Sequence, residues 1–216
     1  MRNRFDEQLA LLKKEMIEMG AMCEEAIALT ARALTEGDIS LAGKVESLSQ
    51  SIDQMERDIE SRCLKLLLQQ QPVAKDLRAI SAALKMITDL ERIGDQAEDI
   101  TEILPYLSDH KLPDNIPIRE ISAEVIRMVT DSIDAYVKQD VEMANAVIRS
   151  DDTVDAHFAA IKSNLIDLIK HDGDSGEFAI DLLMIGKYLE RIGDHAVNIA
   201  EWVIFSVTGM HKEVQS

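Results

Sequence analysis

Hydrophobic residues recur along this chain at spacings of three and four, the period that places side chains on one face of an α-helix. One such stripe consists of Met86, Leu90, Ile93, Ala97, Ile100 and Leu104. The same spacing returns later in Ile185, Leu189, Ile192, Ala196, Ile199 and Val203. Convincing strand-type alternation is absent from the sequence. The pattern therefore predicts long helices that each bury one face in a bundle.

Residues that break helices are few and divide the chain into long segments. They are Gly37-Asp38, Gln71-Pro72, Pro105, the stretch from Leu112 to Pro117, Lys138-Gln139-Asp140, and the stretch from His171 to Asp174. Between them the sequence predicts six helices, over residues 3–36, 38–71, 73–108, 117–138, 140–171 and 174–210. The predicted fold class is therefore all-α.

The six segments form two related sets of three. The string Leu-Glu-Arg-Ile-Gly-Asp occurs at residues 90–95 and again at residues 189–194. Earlier in each set, Asp38, Ala42, Val45 and Asp53 recur as Asp140, Ala144, Val147 and Asp155. We therefore predict two tandem, sequence-related three-helix bundles, over residues 1–111 and 112–216, joined by the proline-containing linker.

Carboxylates at helical spacing are the most informative polar feature of the repeat. Glu91 and Asp95 share a helix face because they are four residues apart, and Glu190 and Asp194 repeat this pair. Like charges at this spacing destabilise an isolated helix. The neighbouring Arg92 is not expected to face Glu91, since adjacent residues point away from each other. A bound metal cation would supply the missing counter-charge.

The second helix of each set brings further acids. Asp151 and Asp155 are four residues apart, and their counterparts in the first half are Ser49 and Asp53. Carboxylate ligands suit iron, manganese, magnesium or calcium, with zinc as a further candidate. The predicted metal ligands are Asp53, Glu91, Asp95, Asp151, Asp155, Glu190 and Asp194, and the columns continue to the further candidates Asp99 and Asn198. Acid pairs at this spacing are also common on solvated faces, and only their repetition in matched context favours metal.

Two other features of the repeat leave alternatives open. Gly94 and Gly193 interrupt helices, where glycine costs about 1 kcal/mol relative to alanine. Either close helix approach or space for a ligand explains them. Every histidine lacks an acid three residues earlier, so the Glu-x-x-His pattern of di-iron bundles is absent. His195 follows Asp194 directly, and we interpret it as a surface histidine rather than a ligand.

Composition narrows the classes of partner. The formal net charge of −17 argues against nucleic acid and suits cations or basic protein surfaces. Cys23 and Cys63 lie among apolar residues and form neither a disulfide framework nor a zinc pattern, so buried, reduced thiols are expected. The first residues resemble no signal peptide, and no apolar run approaches the length of a membrane span. We expect an intracellular protein without membrane insertion.

Two groups of motifs resemble the PhoU family. They are residues 70–78 together with 89–95, and residues 189–201. The resemblance covers essentially the whole chain. It implies two tandem three-helix bundles whose Glu/Asp-x-x-x-Asp motifs bind multinuclear metal clusters. Ser49 departs from the pattern, so the first site is expected to hold fewer ions or to bind them more weakly. It further implies a cytoplasmic, homodimeric, non-enzymatic regulator of phosphate homeostasis. Such proteins restrain high-affinity phosphate uptake and the phosphate-starvation response by linking the ATPase subunit of the phosphate ABC transporter to a sensor histidine kinase.

Two alternative functions remain. A metal-dependent phosphohydrolase would need a general acid or base and a basic substrate-binding group beside the acids. The sequence identifies neither group. A metal-storage helical bundle is disfavoured by the missing Glu-x-x-His spacing. The chain is therefore expected not to be an enzyme.

Overall fold

Six long helices make up the fold, as the hydrophobic pattern predicts. The computed structural model describes residues 2–70, 73–107 and 110–210, and no strand occurs within these ranges. The helices are α1 (Arg2–Glu36), α2 (Ala42–Gln70), α3 (Ala74–Leu107), α4 (Ile118–Lys138), α5 (Val141–His171) and α6 (Gly176–Thr208). Short 3₁₀ helices at Ile39–Leu41 and Gly173–Ser175 precede α2 and α6. The all-α prediction is confirmed. The predicted break at Gln71-Pro72 lies outside the described residues.

Corresponding turns open the second helix of each half. Gly37 adopts the left-handed φ of 70° that glycine tolerates, and the carboxylate of Asp38 then accepts a hydrogen bond from the Ser40 amide at 3.1 Å. In the second half Gln139 has a φ of 55°, and the carboxylate of Asp140 accepts from the Met143 amide at 3.0 Å. Both predicted turns are confirmed.

Pro105 does not divide the chain. The residue lies inside α3, which ends two residues later at Leu107. Proline removes one backbone donor from a helix, and near the last turn few hydrogen bonds remain to be lost. The expectation that Pro105 acts as a breaker is therefore wrong, and the helix ends just beyond it.

The two halves pack through their third helices. The most extensive helix packing joins α3 to α6, and α1 also packs on α4. The third helices run antiparallel, because Arg78 early in α3 donates to the Ser206 carbonyl late in α6. One buried cluster draws side chains from all six helices, including Leu12, Ile52, Leu90, Val125, Val154 and Ile192. The two halves thus share a core, and the division into residues 1–111 and 112–216 stays a prediction.

Both cysteines are packed as the sequence predicts. Cys23 and Cys63 are free thiols with no exposed surface. Burial raises the pKa of the Cys63 thiol to about 12, which keeps it protonated and unreactive at neutral pH. Within the described residues, no helix contains a stretch that is both long and apolar enough to cross a membrane.

Candidate metal centre

Gly94 and Gly193 let the second helix of each half approach the third closely. A Cβ added at Gly94 would lie 3.0 Å from Cδ1 of Ile52 on α2, and one at Gly193 would lie 3.2 Å from Cγ1 of Val154 on α5. The two contacts are equivalent in the repeat. Close helix approach therefore accounts for both glycines. It also carries the next residue along α2, Asp53, toward the acids of α3.

Three acids of the first half converge. Asp53, Glu91 and Asp95 are half-buried, and each places one carboxylate oxygen within 4.8 Å of the others. Partial burial and then the charge of Asp95 raise the pKa of the Glu91 carboxyl, while Arg92 opposes the shift. The raised pKa shows that the group lacks full compensation for its charge. Oxygen donors are the ligands that hard cations prefer, and water would have to complete the coordination of an ion held by these three acids.

A fourth acid of the first half, Glu56, was not predicted from the sequence to belong to this group. Glu56 lies on α2 and is close enough to Glu91 for its charge to raise the pKa of that carboxyl further. The pKa of Glu56 is itself raised, first by desolvation and then by Glu60. Its position three residues after Asp53 was the pattern that could have revealed it, because residues at that spacing share a helix face.

The four predicted acids of the second half are electrostatic neighbours. The pKa of the Asp151 carboxyl is raised to about 6, by desolvation first and then by Asp155, Asp194 and Glu190. The pKa of Asp194 is also raised, by partial desolvation and by Glu190. Their oxygens converge less than those of the first half. In the described part of the chain, the only three acids with oxygens all within 4.8 Å of one another are those of the Asp53 group.

An unsatisfied oxygen marks the second group as well. Oδ1 of Asp151 is buried and has no hydrogen-bond partner. A buried acceptor without a partner costs about 1–3 kcal/mol, and more when it is charged. Ser49, the equivalent residue in the first half, is 3% exposed and brings no charge. The two groups therefore have different donor sets, although both are rich in oxygen.

Basic side chains partly balance each group. Arg92 Nε lies 3.3 Å from Oε2 of Glu91, and Arg92 Nη1 lies 3.0 Å from Oδ2 of Asp95. The expectation that Arg92 does not face Glu91 is wrong, because the long arginine side chain folds back along the helix surface. In the second half the counter-charge comes from Lys187, which pairs with Glu190. Sequence analysis missed this pair, although its i, i+3 spacing is typical of helical ion pairs.

The two further candidates occupy different surroundings. The pKa of Asp99 is raised by desolvation, then by Glu102 and Asp95, so Asp99 continues the acidic column of α3. Asn198 instead donates from Nδ2 to Oδ1 of Asp89 at 3.1 Å, across the contact between α6 and α3. Its amide therefore serves the packing of the two halves.

His195 is not a surface histidine. Its Nδ1 lies 2.9 Å from Oδ1 of Asp89, and its side chain is 17% exposed. The interpretation from sequence is wrong because the partner, Asp89, belongs to the other half of the chain. Tertiary packing of α3 on α6 brings the two together, and the pattern within one helix does not reveal such a partner.

The residues of both groups fit a cation chemically. Their donors are carboxylate oxygens, which favour manganese, magnesium, calcium or iron over soft thiolate-bound metals. The buried oxygen of Asp151 has no hydrogen-bond partner, and the convergent acids around Asp53 are only partly balanced by Arg92. Asp53, Glu91 and Asp95 would hold metal in the first half. Asp151, Asp155, Glu190 and Asp194 would do so in the second.

Known proteins share both the sequence repeat and the fold of this chain. The family model for the PhoU domain matches residues 16–104 and again residues 118–203. The phosphate-specific transport system accessory protein PhoU homolog of Clostridium acetobutylicum is 36% identical over 210 residues, which cover 96% of each chain.

Solved structures show the same architecture. The crystal structure of PhoU from Pseudomonas aeruginosa superposes with a TM-score of 0.90 at 33% identity, covering 95% of this chain and 100% of that chain. The phosphate transport system regulatory protein PhoU from Streptococcus pneumoniae gives a TM-score of 0.89 at 24% identity, covers 97% of this chain and supports the fold alone. The domain match, the full-length identity and the shared fold lead to one conclusion: the chain belongs to the PhoU family.

Proposed function

We propose that this protein is a metal-binding, non-enzymatic accessory regulator of phosphate transport. The observation that carries the proposal is the similarity, along almost the entire chain, to proteins named as accessory proteins of the phosphate-specific transport system. The motif copies that identify the family also carry the clustered acids, so regulation and metal binding belong to the same helices.

In this proposal, metal ions bind between the second and third helix of each half. Divalent or trivalent ions, in multinuclear clusters, would balance the carboxylates around Asp53 and around Asp151. Metal would also cross-link α2 to α3 and α5 to α6, since each group draws ligands from both helices. The role proposed for the metal is to fix helix positions and to modify the charge of the surface.

The proposed partners are proteins of phosphate uptake and signalling. The regulator would act in the cytoplasm as a homodimer and couple the ATPase subunit of the phosphate ABC transporter to its sensor histidine kinase. By this coupling it would restrain uptake and the starvation response when phosphate is plentiful. The formal net charge of −17 supports docking on basic protein surfaces and opposes nucleic-acid binding.

A deletion strain tests the regulatory part. Loss of the gene should raise the expression of phosphate-starvation genes in phosphate-rich medium, and the wild-type gene should restore repression. Complementation with Glu91→Ala and Glu190→Ala then asks whether the metal groups are needed. Glu18→Ala is the matched control, because Glu18 is a partly exposed acid outside both groups that pairs with Lys14 in its own helix. Unchanged repression in the deletion strain would reject the regulator proposal.

Elemental analysis tests the metal part separately. The purified wild-type protein should retain metal, and each of Glu91→Ala and Glu190→Ala should lower the content while Glu18→Ala leaves it unchanged. Equal metal content in all four proteins would reject the site assignment. Hydrolysis of phosphate esters by metal-loaded protein, lost in Glu91→Ala, would contradict the non-enzymatic part.

A further inference from the structure

The two groups of acids differ in a residue that contacts them. Lys187 precedes Glu190 by three residues on α6, and the equivalent residue of α3 is Thr88. The cation of the first group is instead Arg92, which pairs with Glu91 and Asp95. The second group therefore obtains its contacting cation from a different position of the repeat, where the first group has threonine.

The ammonium of Lys187 is held by two partners. It donates a hydrogen bond to Oε2 of Glu190, whose side chain is only 13% exposed. Its Nζ also lies 5.6 Å from the centre of the Phe158 ring, within the range of a cation–π interaction. The first half has Glu56 at the position equivalent to Phe158. Neither Lys187 nor its aromatic partner has a counterpart there.

The remaining acids of the second half show what this ion pair does. Glu190 is engaged with lysine, while Oδ1 of Asp151 stays buried without a partner. The ammonium of Lys187 thus occupies an oxygen of one proposed ligand, Glu190, and does not satisfy Asp151.

We propose that Lys187 is an internal cation that competes with metal for Glu190 and so weakens metal binding by the second group. The inference rests on the metal-binding function proposed above. An ammonium and a metal ion need the same carboxylate oxygen, and a lysine has a flexible stem that can move into solvent when a metal displaces it.

Binding of Mn²⁺ to metal-free protein tests this competition, with free Mn²⁺ followed by electron paramagnetic resonance. Glu91→Ala isolates the second group, and Glu190→Ala isolates the first. Adding Lys187→Thr to the Glu91→Ala protein should tighten Mn²⁺ binding on the order of fivefold, the effect of removing a partly exposed ion pair. Adding Thr88→Lys to the Glu190→Ala protein should weaken binding by a similar factor. Thr88 is exposed, so the lysine has room.

A charge-matched control separates local competition from a change in net charge. Lys170→Thr removes the same charge from α5, where Lys170 pairs with Asp167 and both side chains are well exposed. It should leave Mn²⁺ affinity nearly unchanged. Lys187→Gln, which also lacks the charge, serves if Lys187→Thr folds poorly.

Thermal unfolding gives a second readout. Without metal, Lys187→Thr should unfold at a lower temperature than its parent, because Glu190 loses its counter-charge. Saturating Mn²⁺ should then raise the unfolding temperature more in Lys187→Thr than in the parent. Equal affinities in parent and Lys187→Thr, or an equal gain from Lys170→Thr, would overturn the competition. If the unsubstituted protein binds no Mn²⁺, the metal-binding function itself fails, a result distinct from binding that is indifferent to Lys187.

Discussion

At the scale of single residues, Gly94 and Gly193 set how closely the second helix of each half approaches the third. The sequence left two explanations for these glycines open, close helix approach and space for a ligand. Only the packed structure shows Ile52 and Val154 filling the space that a side chain would take. The same approach positions Asp53 and Asp155, so the glycines and the acids are parts of one arrangement.

Gly94→Ala should destabilise the protein. The new Cβ would lie 3.0 Å from Cδ1 of Ile52, a fully buried side chain with little room to move. Overpacking costs roughly 1–3 kcal/mol, and the gain in helix propensity offsets about 1 kcal/mol. We expect a net loss of about 1 kcal/mol in the free energy of unfolding, measured by urea denaturation. Ile52→Val removes the clashing Cδ1 and should recover part of the loss; a Gly94→Ala protein as stable as its parent would contradict this account.

Asp151→Asn should stabilise the metal-free protein at neutral pH. The folded state raises the pKa of Asp151 from 3.8 to about 6, so ionisation destabilises the folded state as pH rises through this interval. The penalty is complete above pH 6 and absent below pH 4. A pKa change from 3.8 to about 6 would alone correspond to roughly 3 kcal/mol. Solvent screening of this partly exposed carboxyl reduces the effect, so we expect a gain of about 1 kcal/mol at pH 7.5 that vanishes near pH 3.5.

Thermal unfolding in the presence of a chelator measures the effect of Asp151→Asn. With saturating Mn²⁺ the order should reverse, because the substitution removes a proposed ligand. A gain that is the same at both pH values would show that the Asp151 charge is not its cause.

At the scale of helices, the hydrophobic period and the breakers were enough to predict type, number and approximate ends. Turn residues such as Gly37 and Asp140 act locally, which is why their positions could be predicted. Which helices pack against each other is a tertiary property, and it could not be predicted from these local signals. Asp89 gave no sign in the sequence of its contact with His195, and Lys187 was overlooked beside Glu190. Candidate ligands could be named from spacing, while their surroundings required the packed helices.

The Asp89 contact should help to hold α3 against α6. Asp89 accepts from Asn198 and lies 2.9 Å from His195, both on α6. Asp89→Ala should lower the free energy of unfolding by about 1 kcal/mol, because it leaves the half-buried His195 unpaired and removes a hydrogen bond from the exposed Asn198. A double-mutant cycle with His195→Ala in urea denaturation should give a coupling above about 0.5 kcal/mol. Asp134→Ala, which breaks an exposed pair with Lys138, is the control, and additive losses at Asp89 and His195 would contradict the link.

At the scale of the whole molecule, one buried cluster spans both halves. Sequence repetition suggested two bundles that each close a core, because a segment of that length can do so. The packing of α3 on α6 joins their cores, and the buried cluster includes Ile59 from α2 as well as Val203 from α6. The two halves are therefore expected to unfold together in one transition and not one after the other.

Ile59→Ala tests this cooperativity. Ile59 is fully buried in the first half, and truncation should cost about 2–5 kcal/mol. The single tryptophan, Trp202, lies in α6 and reports on the second half. Its fluorescence should shift to a lower urea midpoint by the same amount as the far-ultraviolet circular dichroism. An unchanged tryptophan transition would show that the halves unfold independently.

Covalent fusion of the two repeats has an evolutionary consequence. In a symmetric pair of identical subunits, every mutation appears on both sides of the axis at once. Here one chain carries both copies, so each can change alone. Thr88 and Lys187 have diverged in this way, as have Glu56 and Phe158. Duplication within a single gene thus allows each half of this scaffold to acquire side chains that the other half lacks.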